Sequence, residues 1–294
     1  MSSGRVDRRR FLGTSGTAAA ASLLGVPRAS GAPAAKARAV LIRRTDVLGT
    51  DSRVDGPVLH SMLNEAVCAL LDEKEAGAAW RRIVKPDDIV GVKSNRWPAL
   101  PTPPELETAI RDEVVKAGVP PASVGIDDQT VRSNPLFRRV TAVVNVRPMR
   151  THDWAGLGTC LKNLMPFAPN PPDYHEDACA NLGALWQLPQ VAGKVRLNVL
   201  VLLTPQFHGV GPHSFAREWT WPYGGLLVST QPVPADATGA RIIEAKRRLH
   251  FAGERPLSPS PHHIAIASQR YGLGPSDPTE IDLVRLGSSA GALV

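Results

Sequence analysis

Residues 88–128 read DIVGVKSNRWPALPTPPELETAIRDEVVKAGVPPASVGIDD. Asp88 to Lys93 is a short apolar run with β-branched residues, which favours a buried strand. Thr102-Pro103-Pro104-Glu105 places proline early and an acid in the first turn, the mark of a helix start. Leu106, Ile110, Val114 and Val115 carry that helix to Gly118, which ends it. Val124 to Ile126 is the next strand, closing in Asp127-Asp128. Strand, helix and strand at this spacing make a βαβ unit, so the sheet is expected to be largely parallel with right-handed crossovers.

The same alternation extends in both directions. Ala39 to Ile42 reads as a strand, and Pro57 opens a helix with apolar residues at Val58, Leu59, Met62, Leu63, Ala66, Val67, Leu70 and Leu71. Further strands are expected at Val140–Val146 (VTAVVNV), Val195–Leu203 (VRLNVLVLL), Gly225–Ser229, Ile264–Ala267 and near Glu280–Val284. Helices are expected at Ala178–Leu188 and Pro234–Leu249. The fold class that follows is α/β, a largely parallel sheet flanked by helices in three layers, formed by residues 35–294 as one domain.

The first 34 residues read as an export signal. Asp7-Arg8-Arg9-Arg10-Phe11-Leu12-Gly13 resembles the twin-arginine motif, two arginines ahead of a hydrophobic pair. Thr14 to Val26 is an alanine-rich apolar stretch, and Ala32-Pro33-Ala34 offers a small-residue cleavage site. The stretch is too short and too weakly apolar for a lasting membrane anchor. The expectation is export to the periplasm or beyond, with the twin-arginine translocase as partner during transit. Removal of this segment takes away five arginines and one aspartate, reducing the formal charge from +7 to +3. With no basic helix and no aromatic platform, nucleic acid is not an expected partner. The three cysteines, Cys68, Cys160 and Cys179, fit neither a paired metal motif nor a ferredoxin run, so no iron–sulfur site is expected. Whether Cys160 and Cys179 pair after export is open at this point.

The chemistry is expected in Thr151–Met165, THDWAGLGTCLKNLM. The preceding strand is read as ending at Arg147-Pro148. Gly156 and Gly158 lie ahead of a short helix, Cys160–Met165, capped by Thr159 and stopped by Pro166. Free backbone N–H groups at such a helix start suit an anion, and Lys162 beside them adds charge. The proline-rich residues 166–175 are long enough to form a lid.

In an open parallel sheet, ligands sit outside the carboxyl ends of the strands. Four expected strands carry polar residues there: Lys93 with Asn95, Asp127 with Asp128, Arg150 with His152, and His208. Two chemistries fit. Lys93, Asn95, Arg150 and Asn163 would bind a small anion, with His152 and Lys162 as catalytic groups. Alternatively His152, His175, His208 or His213, and Asp128 would hold a divalent metal. No histidine spacing favours the metal by itself, and the cofactor is left unknown.

These segments resemble the domain of unknown function 362 family. The resemblance rests on Val90–Asn95, Thr102–Pro104, Arg150-Thr151-His152, Cys160–Met165, His175, Gly209–Pro212, the helix of Asp236 and Tyr271–Gly274. Many relatives look like iron–sulfur proteins through an added cysteine run that this chain lacks. Where the family tends to have an acid after the long buried strand, Thr204-Pro205 stand here. The resemblance implies no defined activity. Three functions are therefore carried forward: an enzyme acting on a small anionic substrate, a non-catalytic metal- or cofactor-binding protein of the cell envelope, and an accessory chaperone for an exported protein.

Overall fold

The computed structural model describes residues 36–209 and 215–294. The expected signal at 1–34, Val210–Pro212 and His213 lie outside the described residues. Lys36–Val294 form one compact unit.

The sheet runs β3-β2-β4-β6-β7-β1-β8, with β5 paired to β4. Its strands are β1 (Ala37–Arg43), β2 (Val90–Lys93), β3 (Val124–Asp127), β4 (Ala142–His152), β5 (Gly156–Gly158), β6 (Val195–Gln206), β7 (Gly225–Ser229) and β8 (Ile281–Gly287). The β2/β3, β2/β4, β4/β6 and β1/β8 pairs are parallel. β7 is antiparallel to both β6 and β1, and β5 folds back on β4 as a hairpin. The βαβ unit at residues 88–128 stands as read.

Successive side chains of a strand point to opposite faces, so each apolar strand feeds two cores. Val144 and Val146 pack in one core with α1 (Gly56–Leu71), α2 (Ala76–Ile83) and α3 (Pro104–Lys116). Asp55 caps α1 by accepting the Val58 N–H at 2.9 Å. Val143 and Met149 face the other core, built with α5 (Pro232–Phe251) and α6 (His263–Tyr271). The single turn α4 (Glu176–Cys179) and the 3₁₀ segments 162–167 and 180–187 complete that layer. The result is the three-layer α/β arrangement. No helix among the described residues is long and apolar enough to cross a membrane.

Three local expectations are corrected. Ile264–Ala267 belongs to α6, not to a strand: His263, Ile264 and Ala267 are its buried positions, a helical spacing. The strand at Val140 does not stop at Arg147-Pro148 but continues as β4 to His152. Pro148 is accommodated beside a register break between Pro148 and Arg150. Residues 162–167 form a 3₁₀ helix with Pro166 inside it and no side-chain cap, where an α-helix capped by Thr159 was expected.

Candidate functional site

A row of polar residues crosses the sheet in register. Lys93 pairs with Asp127 and with Asn145, Asn145 with Asn198, and Asn198 with Ser229. All five are buried, Lys93, Asn145 and Asn198 completely. A polar group in such an interior must find a partner. Asn145 Nδ2 donates to Asn198 Oδ1 at 2.9 Å and to the Cys160 carbonyl at 3.0 Å. Asn163 Nδ2 donates to Asn145 Oδ1 at 2.8 Å, to the Val146 carbonyl at 2.9 Å and to the Lys93 carbonyl at 3.1 Å. The row thus ties the segment after β5 to the centre of the sheet.

At the carboxyl ends of β2, β3 and β4 the expected anion-site residues come together. Lys93 Nζ donates to Asp128 Oδ1 at 2.7 Å, and Asp128 also accepts the Arg96 N–H at 2.8 Å. Burial pulls the Lys93 ammonium down to about 8, with Asp128 opposing. Asn95 Nδ2 donates to Asn163 Oδ1 at 3.3 Å, and Arg150 Nη1 to Asn95 Oδ1 at 3.0 Å. The Arg150 guanidinium lies 4.3 Å from the centre of the Trp97 ring.

Arg147 is the residue that sequence reasoning missed, taken for a strand end rather than an interior position of β4. It is buried, and its side-chain Nε has no hydrogen-bond partner. Its guanidinium lies under Gly158, where a Cβ would come within 2.6 Å of Nη2. Burial lowers the pKa of Arg147 to about 10, and at Arg150 burial comes first and Arg147 second. A guanidinium stays protonated in a protein, so two neighbouring buried charges remain. Lys162, also buried, contacts Cys179 Sγ at 3.3 Å through Nζ, and burial lowers its pKa.

The helix-start amides expected to bind an external anion already hold an internal one. Asp236, buried on α5, accepts the Cys160 N–H at 2.8 Å and the Leu161 N–H at 2.9 Å. Burial raises its carboxyl to about 6 against those bonds.

His152 is buried at the end of β4, with Nδ1 2.9 Å from Asp153 Oδ1. The Trp154 N–H reaches both Asp153 Oδ1, at 3.0 Å, and His152 Nδ1, at 3.2 Å. Nδ1 accepts the Trp154 N–H, so in the neutral imidazole the ring proton sits on Nε2. Burial first, then the charges of Lys162, Arg147 and Arg150, push its pKa far below the usual range. His152 is therefore neutral.

The residues of the metal alternative are distributed differently. Asp128 is engaged by Lys93 and Arg96, and the His175 ring packs 4.4 Å from Trp154. His208 Nδ1 faces Arg247 Nη1 at 3.3 Å. Among the described residues, no three His, Cys, Asp or Glu side chains gather to hold a metal. Cys68, Cys160 and Cys179 are all free thiols.

Residues 109–241 match the family described as Domain of unknown function (DUF362). The matched stretch carries Arg147, Arg150, His152, Lys162, Asn163 and Asp236, the centre of the site. The similar segments at Val90–Asn95 and Tyr271–Gly274 lie outside it. No curated protein and no solved structure matches the chain.

Proposed function

We propose that the chain is an exported enzyme acting on a small anionic substrate at the carboxyl edge of β2 and β4. Arg147, Arg150 and Lys162 supply charge, Asn95 holds Arg150 and is itself held by Asn163, and His152 is the proton-transfer group. The observation that carries this reading is Arg147. A buried cation whose Nε lacks a hydrogen-bond partner is costly to folding, and such a group is explained when a ligand completes it. Asp128 and Asp236 offset part of the charge, but each is held by other groups.

Arg147→Met tests the proposal because stability and binding should move in opposite directions. The variant should unfold at equal or higher denaturant than the wild type, by up to about 1–4 kcal/mol. At the same time it should lose the rise in melting temperature that carboxylates or inorganic phosphate give the wild type. If no such anion raises the wild-type melting temperature, the reading is wrong. Residues 7–34 are the basis for export. Replacing Arg8 and Arg9 by lysine should hold the protein in the cytoplasmic fraction.

A further inference from the structure

A second positively charged surface adjoins His152. A cavity of about 410 Å³ is bounded by Thr151 and His152 on β4, Gly156 on β5, His208 after β6, and Arg247 and Arg255 at and beyond the end of α5. That volume is in the range of small-molecule sites. Among the described residues, no acidic side chain lines it.

Arg247 is 6% exposed, and its donors are held by neutral acceptors. Nε donates to the Arg255 carbonyl at 2.8 Å, Nη1 to the Phe207 carbonyl at 2.9 Å and Nη2 to the Pro256 carbonyl at 3.1 Å. These bonds fix the guanidinium without neutralising it. Arg255 lies with its guanidinium 4.3 Å from the centre of the Phe251 ring, a contact that likewise leaves its charge intact. Neither arginine has a carboxylate within ion-pair distance among the described residues. His152 joins the two environments: it lines this cavity, and it follows Arg150 by two positions on β4, on the same face of the strand.

We infer that the cavity receives a second anionic group, so that the substrate is a small dianion of the dicarboxylate class. One acidic group is directed to Arg147 and Arg150, the other to Arg247 and Arg255, and the bond or proton acted on lies beside His152. This inference rests on the proposed anion site. A monoanion would leave one of the two arginine pairs uncompensated, whereas two linked anionic groups satisfy both and gain from being tethered.

The test is calorimetric titration of the full chain with acetate, succinate, glutarate and inorganic phosphate at constant ionic strength. For the wild type, succinate or glutarate should bind at least about tenfold more tightly than acetate. Arg255 is exposed, so Arg255→Gln leaves folding intact, and it should bring that ratio to within about threefold of one. If acetate or phosphate binds but neither dicarboxylate binds more tightly than acetate, the dianion inference is overturned and the anion site stands. An unchanged ratio in Arg255→Gln overturns it equally. If none of the four anions binds the wild type, the anion site itself is wrong and the inference falls with it.

Discussion

Lys93 Nζ lies 2.7 Å from Asp128 Oδ1 with the two side chains 0% and 3% exposed, a salt bridge sealed inside the carboxyl edge of the sheet. Taking one partner away leaves the other charged in a poorly solvating interior, which costs about 3–5 kcal/mol. Removing both charges leaves no such residue of cost. Asp128→Asn and Lys93→Met should each destabilise the protein by that amount in urea, whereas the double variant should recover much of the loss. A double variant as unstable as the sum of the two singles would show that the pair does not act as a unit.

Gly158 is the backbone lid of Arg147. A methyl group at 158 would meet Nη2 at 2.6 Å and the guanidinium carbon at 3.2 Å, so the arginine must shift. Overpacking of this kind costs about 1–3 kcal/mol. Gly158→Ala should show that loss in thermal denaturation and should also weaken anion binding, because the displaced group is the one proposed to receive the ligand. Valid anion affinity in a destabilised Gly158→Ala protein would separate Arg147 from the site.

The scaffold was largely legible in the sequence because strands and helices of this chain keep their periods. The βαβ unit at residues 88–128 has β-branched strand residues, proline-led helix entry and a glycine exit, and every signal agrees. Ile264–Ala267 misled because four residues of alternating size satisfy a strand pattern as well as one turn of helix. That Lys93, Asn95 and Arg150 lie together was legible because strand ends are where an open sheet gathers polar groups, and Asn163 joins them from the segment after β5. Arg147, Asn145 and Asn198 were not, since a polar residue within or just after an apolar run reads as an interruption. Only the register shows Asn145 and Asn198 opposite one another. Asp236 escaped for the same reason: its partners, the Cys160 and Leu161 amides, are 76 and 75 residues away along the chain.

Asp236 carries a pH signature of its own. Its carboxyl stands at about 6 in the folded protein against an ordinary 3.8. Between those values the folded state holds the extra proton, so unfolding releases it and stability falls as pH rises. The contribution is fully present below about pH 4 and is lost above about pH 6, on the order of 2–3 kcal/mol. Urea denaturation from pH 4 to 7 should show this decline, and the difference between wild type and Asp236→Asn should isolate it from other groups. A pH-independent difference would mean that the carboxyl titrates at its ordinary value.

His152 should link anion binding to proton uptake. In the free protein it is neutral because burial is reinforced by Lys162, Arg147, Arg150 and His175. A bound anion adds a negative charge among those cations and raises the imidazole pKa toward its ordinary value near 6.5. Near pH 6 the complex should therefore take up a proton that the free protein does not hold. Titration calorimetry in two buffers measures this directly: the observed heats should differ in proportion to the difference between the buffers' ionisation enthalpies. In His152→Asn the two buffers should give equal heats while binding persists through the arginines. Equal heats in the wild type, with binding intact, would remove His152 from proton transfer and leave it as a packing residue beside Asp153.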